Sequence, residues 1–464
     1  MKKTLNSNTK GTVRNLQGLL ESVVLAFIYY VVWRMGYEAG IFPNYFGNGK
    51  YVLMGVYVLL CIVVFRNTDG FTFGDLRRLE VAMAQWISLM IINVITYLQL
   101  CLIANKVITP VPIIILTVIE AFAVVPFVYL YHWLNQLLYM PHDMLMIVGN
   151  QDAVVLKLKM DSRRDKYLIK KMISANVDFE MLCEEILKYE SVVLNDITAQ
   201  KRNDIMKFCY QHDIRVYVVP KLTDIMIRGA EEVSSFDTPI LAISSNGLTQ
   251  IQRILKRTLD VVLCLLAMIV AAPIMIAVAV AIKLDDGGPV FYKQKRVTIG
   301  GKAFDILKFR SMIVNAEKEG EAVLATTGDP RITRVGRIIR ACRVDELPQI
   351  LNILKGDMSI VGPRPERVEN VREYSKEIPE FAYRLKVKGG LTGYAQIYGK
   401  YNTTAYDKLR LDLMYIEKYS IFLDIKLIVM TLRILLKKES TEGFDVTVEN
   451  EKKKDDLLKE LIKG

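Results

Sequence analysis

Histidine is scarce in this chain: only His132, His142 and His212 occur, and none follows residue 212. Serine-type triads and most zinc sites are therefore excluded from the C-terminal half, which leaves carboxylates as candidates for any chemistry there. Cysteine is also sparse. Cys61, Cys101, Cys183, Cys209, Cys264 and Cys342 are scattered without a C-x-x-C pair, and three lie in apolar runs, as expected of reduced thiols. The G-x-G-x-x-G fingerprint is missing too. Where a strand-to-turn step could carry it, the chain reads Gly149-Asn-Gln-Asp-Ala153, without the later glycines that let a backbone approach a pyrophosphate. No finger, RNP or basic-zipper pattern is present, so nucleic acid is not an expected partner.

What the chain does have is basic charge beside long apolar runs. A formal net charge of +11 over 464 residues accompanies a positive mean hydropathy of +0.24, a combination that suits a membrane protein facing anionic lipid or nucleotide. The length predicts two or three domains. Apolar runs at about Leu19–Met35, Tyr51–Phe65, Met83–Ala104 and Pro112–Trp133 each approach the roughly 20 residues that cross a bilayer, the second being short. The first is expected to be a retained span, since no small-residue cleavage site follows it. Lys2, Lys3, Lys10 and Arg14 precede the first run, and Arg66, Arg77 and Arg78 follow the second, so both ends of this four-span part are expected in the cytosol. Glu120, midway along the fourth run, either pairs within the bundle or lines a polar cavity.

From Asp143 the pattern changes. Met144–Val148, Ser191–Leu194 and Ile214–Val219 read as buried strands separated by helix-forming stretches, the alternation of a parallel doubly wound sheet. Lacking the fingerprint glycines, this module is expected to be structural, regulatory or self-associating, which keeps a homo-oligomer among the expected assemblies.

The densest chemistry lies between residues 300 and 400. Gly300-Gly301 separates Val290–Val297 from Phe304–Arg310, predicting a short hairpin on which Lys308 and Arg310 share a face. Arg331, Arg334, Arg337 and Arg340 recur at a three-residue step. Asp345 and Glu346 then stand before Pro348, with Leu347, Ile350, Leu351 and Leu354 at helical spacing. A helix is predicted from about Leu347 with Pro348 at its first position, its positive end favouring anions. Any isolated Asp-Glu before a helix is ordinarily a cap with neighbouring ion pairs. Arg343 adds charge beside the acids, and Arg364 sits in a proline-fixed turn, where it either forms a structural ion pair or grips phosphate.

The run Asp345-Glu-Leu-Pro-Gln, followed by Leu354-Lys-Gly-Asp-Met-Ser-Ile-Val-Gly-Pro-Arg-Pro365, resembles the signature of the bacterial sugar transferases known as monotopic phosphoglycosyl transferases, in their long form. The likeness extends through Lys308-Phe-Arg-Ser-Met312, Gly328–Arg337 and Leu391-Thr-Gly-Tyr-Ala-Gln396, over roughly residues 250 to 437. It implies transfer of a sugar phosphate from a UDP-sugar to undecaprenyl phosphate with release of UMP, as the first membrane step of exopolysaccharide or capsule synthesis. Asp345 would be the nucleophile and Glu346 the Mg²⁺ ligand, an order of roles that the resemblance supplies. Lys308, Arg310, Arg337, Arg340, Arg343 and Arg364 would contact substrate.

Val261–Ile282 is an apolar run interrupted only by Pro273, long enough for a fifth span. Basic residues flank both ends, Pro273 bends a helix at its midpoint, and a crossing would carry the catalytic part away from cytosolic nucleotide sugars. The resemblance accordingly implies a re-entrant helix broken at Pro273, although the family's Ser-Pro is Ala272-Pro273 here. Asp424, Lys426 and Arg433 mark the helical stretch Ile421–Leu436 as interfacial.

The expected architecture is an α/β membrane protein: a four-helix transmembrane bundle (1–140), a Rossmann-like middle domain (141–245), an α+β catalytic domain (250–437) with re-entrant helix 258–284, and a charged tail (438–464). It is expected in the bacterial inner membrane, with the catalytic domain cytosolic and membrane lipid as a partner. Two rivals are weaker. A membrane nucleotide-sugar dehydratase or epimerase would need the missing glycines, and a non-catalytic assembly protein would be expected to have lost Asp345 or Glu346.

Overall fold

The computed structural model describes residues 7–38, 49–139, 141–149, 153–234, 237–243, 247–314, 329–399 and 403–435, so the expected charged tail lies outside the described residues. The described residues divide into two compact units, one ending at Lys221 and the other beginning at Leu222.

The first unit opens with four helices, α1 (Ser7–Trp33), α2 (Gly49–Asn67), α3 (Arg78–Ala104) and α4 (Val111–Leu138), each long and apolar enough to cross a membrane. α1 packs on α2 and α4, and α3 on the same two helices. Buried acids inside this apolar packing are paired, as an uncompensated carboxylate there is costly. Glu120 accepts from Tyr57 Oη at 2.6 Å and Asn93 Nδ2 at 2.8 Å, so it pairs within the helices. Glu21, not singled out by the sequence, accepts from Gln85 Nε2 at 3.0 Å.

Four parallel strands follow, β1 (His142–Val148), β2 (Tyr167–Ser174), β3 (Ser191–Asn195) and β4 (Arg215–Val218), in the order β2-β1-β3-β4. Between them run α5 (Ala153–Asp161), α6 (Phe179–Ile186) and α7 (Ala199–Gln211). α6 and α7 cover Leu145, Ile147, Val192 and Leu194, whereas α5 covers Met144, Met146 and Val193 on the other face. β2 corrects the sequence reading, which placed only helix-forming residues there. It is an edge strand with Ile169 as its one fully buried residue and with exposed Lys170 and Lys171, so it lacks the apolar run of an inner strand.

The second unit begins at α8 (Leu222–Arg228), earlier than the expected boundary near residue 245, because Leu222 and Ile225 enter the same core as Phe381 and Leu413. A small hairpin, β5 (Glu231–Val233) with β6 (Ile240–Ala242), precedes α9 (Gln250–Asp286). α9 starts with a Thr249/Gln252 capping box and ends at Gly287, whose φ of 69° suits a residue without a side chain. Pro273 lies inside α9 without interrupting it, so the expected break is absent; a proline removes one backbone donor, which a long helix absorbs with a bend. Along one face Cys264, Met268, Ala271 and Met275 pack on Ile306, Ile350, Ile353 and Met358, and Val278, Ala279 and Ile282 continue against Phe309 and Ile339. Leu265, Leu266, Ile269, Val270, Ile276 and Val280 are exposed.

The predicted hairpin follows as antiparallel β7 (Phe291–Val297) and β8 (Ala303–Phe309), paired from Phe291↔Phe309 to Val297↔Ala303. Then come α10 (Arg334–Ala341), α11 (Gln349–Lys355), β9 (Ser359–Val361), α12 (Val368–Glu377), β10 (Gly390–Thr392), α13 (Tyr394–Tyr398), α14 (Ala405–Glu417) and α15 (Ile421–Leu435), with β9 and β10 parallel. α15 is more deeply embedded than the interfacial reading expects. Asp424 is 1% exposed and accepts from Lys256 Nζ at 2.6 Å and Tyr415 Oη at 2.8 Å, while Leu427 and Met430 enter the core.

Candidate active site

Asp345 and Glu346 sit in one 3₁₀ turn, Val344–Glu346, between α10 and α11. Arg343 precedes the turn in the left-handed region at φ 54°, and Pro348 caps α11 at φ −60°, a value its ring already imposes. α11 therefore begins at Gln349, slightly later than predicted.

Asn352 sets the turn against the hairpin. Its carboxamide accepts from Leu307 N and donates to Asp305 O, both at 2.9 Å, so a side chain from α11 satisfies the free edge of β8. Lys308 is thereby brought beside the acids, and its Nζ lies 2.6 Å from Glu346 Oε1. Arg364 Nη2 reaches the same oxygen at 2.9 Å. Arg257, from α9, donates to the Ile353 and Leu354 carbonyls at 2.5 and 2.6 Å and so satisfies the carboxyl end of α11.

The turn that carries Arg364 is fixed from both sides. Gly390 N donates to Pro363 O at 2.9 Å, and a Cβ on Gly390 would overlap Gly362 N, so this approach of backbones requires glycine. Arg384 Nη2 donates to Arg364 O at 2.9 Å while the same guanidinium pairs with Asp412 at 2.7 Å, both residues being buried. Arg296 Nη1 donates to Pro365 O at 3.1 Å. Sequence reasoning missed Asn352, Arg384 and Asp412. Arg384 and Asp412 stand 28 residues apart, and nothing local links them.

The two acids differ electrostatically. Burial alone would raise the Glu346 carboxyl, but the Arg364 and Lys308 charges outweigh it and hold the group far below the usual carboxylate range. Asp345 lies above its ordinary 3.8, raised by burial and by the Glu346 charge against the opposing pull of Lys308 and Arg340. A carboxylate that binds its proton more tightly is also the better nucleophile.

The structure thus gathers Asp345, Glu346, Lys308, Arg340 and Arg364. Arg337 and Arg343 are exposed. Arg310, one step beyond the end of β8, pairs instead with Asp286 at the end of α9, beneath Gly288, where a Cβ would overlap the guanidinium. Arg331 lies outside α10 and pairs with Asp329 at 2.6 Å, so the row of arginines begins at Arg334. Among the described residues no three carboxylate, imidazole or thiol groups gather as a closed metal cage. Mg²⁺ commonly uses one or two carboxylates, and the ionised Glu346 carboxylate is a hard-oxygen donor of the kind it takes.

Residues 251–438 match the family model described as bacterial sugar transferase. A UDP-glucose:undecaprenyl-phosphate glucose-1-phosphate transferase of Caulobacter vibrioides is 43% identical over 187 residues, which cover 39% of this chain and 69% of the relative. The chain belongs to the bacterial sugar transferase family. Other relatives are a UDP-N-acetylgalactosamine-undecaprenyl-phosphate N-acetylgalactosaminephosphotransferase of Aeromonas hydrophila, 44% identical over 39% of this chain and 44% of the relative, and a UDP-glucose:undecaprenyl-phosphate glucose-1-phosphate transferase of Escherichia coli, 40% identical over 42% of each. The chain spans less than half the length of these last two. The family match contains every residue gathered around Asp345, whereas the four N-terminal helices and the parallel sheet lie outside it.

Proposed function

We propose that the protein transfers a hexose 1-phosphate from a UDP-sugar to undecaprenyl phosphate, with release of UMP, as the first membrane step of exopolysaccharide or capsule synthesis. One observation carries this reading: adjacent carboxylates in the family-matching segment, one gripped by Lys308 and Arg364 and the other left to react.

In this mechanism Lys308 and Arg364 receive the diphosphate, for which the half-exposed Arg364 guanidinium is accessible. An Asp345 oxygen attacks the sugar-proximal phosphorus. The bond from that phosphorus to the bridging oxygen breaks, UMP leaves with the electron pair, and an aspartyl phosphosugar remains. A phosphate oxygen of undecaprenyl phosphate then attacks the same phosphorus, which frees the Asp345 carboxylate and yields the polyprenyl diphosphate sugar. Glu346 would hold Mg²⁺, which when bound would supply charge neutralisation for the departing UMP.

The proposed setting is the bacterial inner membrane, with the site on the cytosolic side. The N-terminal helices form a four-span bundle, the parallel sheet a Rossmann-like module without a cofactor, and α9 a re-entrant element that turns back by bending at Pro273 rather than by breaking there. Support for the last point is that α9 packs on its own domain from Cys264 to Ile282 and exposes apolar residues on the other face. A crossing helix would hold its two ends on opposite sides of roughly 30 Å of hydrocarbon.

The test is UMP release by the full-length protein in lipid nanodiscs with Mg²⁺, undecaprenyl phosphate and a panel of UDP-sugars. The panel includes glucose and N-acetylgalactosamine donors because relatives bear both names. Asp345→Asn is expected to abolish release, and persistence of turnover in that variant rejects Asp345 as nucleophile.

A further inference from the structure

Opposite residues of an antiparallel pair point to the same side, and so do residues two apart on one strand. Tyr292 is opposite Lys308 in the β7–β8 register, so Tyr292, Gln294 and Arg296 share the hairpin face on which Lys308 meets Glu346. A second tie comes from the other direction. Val297 N donates to Glu366 O at 3.0 Å and Arg296 forms an antiparallel bridge with Arg367, which draws the end of β7 against the segment that follows Arg364.

The Arg296 guanidinium is held by neutral groups. Its Nε and Nη2 donate to Gln294 Oε1 at 3.0 and 2.6 Å and its Nη1 to Pro365 O at 3.1 Å, while Gln294 Nε2 donates to Tyr292 Oη at 3.2 Å, a ladder along β7 that orients the fork. Three of the five N–H groups are used in this way, and among the described residues no carboxylate forms an ion pair with it. Burial and the Arg364 charge, with Glu366 opposing and Arg367 adding to them, push the group down to about 10 from its ordinary 12.5. Glu366 has cations of its own, Lys408 at 3.7 Å and Arg384 at 3.8 Å. An anion set against Arg296 and Arg364 would relieve their repulsion and supply the missing counter-charge.

We propose that Arg296, beside Arg364, receives the nucleoside-proximal phosphate of the donor, the group that departs as UMP. The proposal rests on the transferase reading of the same site. Arg364 then serves both phosphates, with Lys308 on the sugar-proximal side. When the bond from the sugar-proximal phosphorus to the bridging oxygen breaks, that oxygen keeps the electron pair and the UMP phosphate gains one negative charge. Arg296 meets this charge with the two N–H groups left over, one on each terminal nitrogen, and a planar fork suits a pair of phosphate oxygens.

The test titrates UMP, with Mg²⁺ present, into the full-length protein in lipid nanodiscs and reads the Kd by calorimetry, with uridine as the probe that lacks a phosphate. Arg296→Met is expected to weaken UMP by about 10-fold or more, as loss of charged hydrogen bonds does, and to change uridine by less than about twofold. In the same variant the KM for undecaprenyl phosphate should stay within about twofold of wild type. A displaced Arg364 turn would instead raise that KM as well, since the acceptor attacks the same phosphorus. Arg296→Lys keeps the charge without the fork and should fall between wild type and Arg296→Met; it carries the test if the methionine variant does not fold. The inference is overturned if UMP affinity is unchanged in these variants, if uridine loses as much as UMP, or if the KM for undecaprenyl phosphate rises alone or equally, which would assign Arg296 to the acceptor or to the turn. Calorimetry reads binding without turnover. A wild-type protein that binds UMP through Arg296 yet releases none from any UDP-sugar therefore counts against the transferase reading, whereas wild-type turnover with undiminished UMP affinity in the variants counts against Arg296 alone.

Discussion

Glu346 and Asp345 are adjacent, yet their environments separate them into a group that is permanently ionised and one that is not. Because the Glu346 carboxyl lies below its ordinary 4.5, its ion pairs stabilise the fold fully above that value and are lost as pH falls through the depressed one. Asp345 lies above 3.8, so its reactive, ionised form is lost on acidification before Glu346 is affected. The acid limb of kcat/KM is therefore expected to report Asp345, and Lys308→Met should move that limb to higher pH by removing a charge that favours ionisation. The same variant should lower kcat/KM by about 100-fold, in line with loss of a charged transition-state contact; a pH-rate series on UMP release measures both. Glu346→Gln is expected to weaken kcat more than KM for the UDP-sugar. At this scale the sequence was informative about identity and less so about partners. Lys308 and Arg310 look equivalent in the chain, but one meets Glu346 and the other Asp286, since β8 ends between them.

Elements were legible where apolar run length or turn chemistry marks them, as in the N-terminal helices and the Gly300-Gly301 turn of the β7–β8 hairpin, and illegible where a polar edge leaves no apolar run, as in β2. The Arg364 turn belongs to neither class, because long-range backbone contacts hold it. Arg384→Met is expected to destabilise the protein by about 3–5 kcal/mol, leaving Asp412 buried without its partner and the Arg364 carbonyl unheld. In Arg384→Met/Asp412→Leu the stability should largely return while UMP release stays low, because only the carbonyl contact is still missing; thermal unfolding in nanodiscs beside the activity assay separates the two effects. Gly390→Ala should likewise depress activity, since its methyl group meets the Gly362 backbone rather than a movable side chain.

Across the whole molecule, apolar runs and charge bias indicated how many segments are fit for lipid, whereas the boundary between units depended on a core that Leu222 and Ile225 join from a distance. A cysteine replacing Asp286 at the end of α9 should react with an impermeant maleimide only when the cytosolic side of inverted vesicles is exposed; modification from the outer side alone would mean that α9 crosses. The exposed apolar flank of α9 also bears on how the protein can be handled. A fragment beginning at Leu222, stripped of all four N-terminal helices, still carries its own oily keel. In a flotation gradient it should rise with liposomes instead of staying in the aqueous layer, and purifying it will call for detergent as surely as purifying the intact chain.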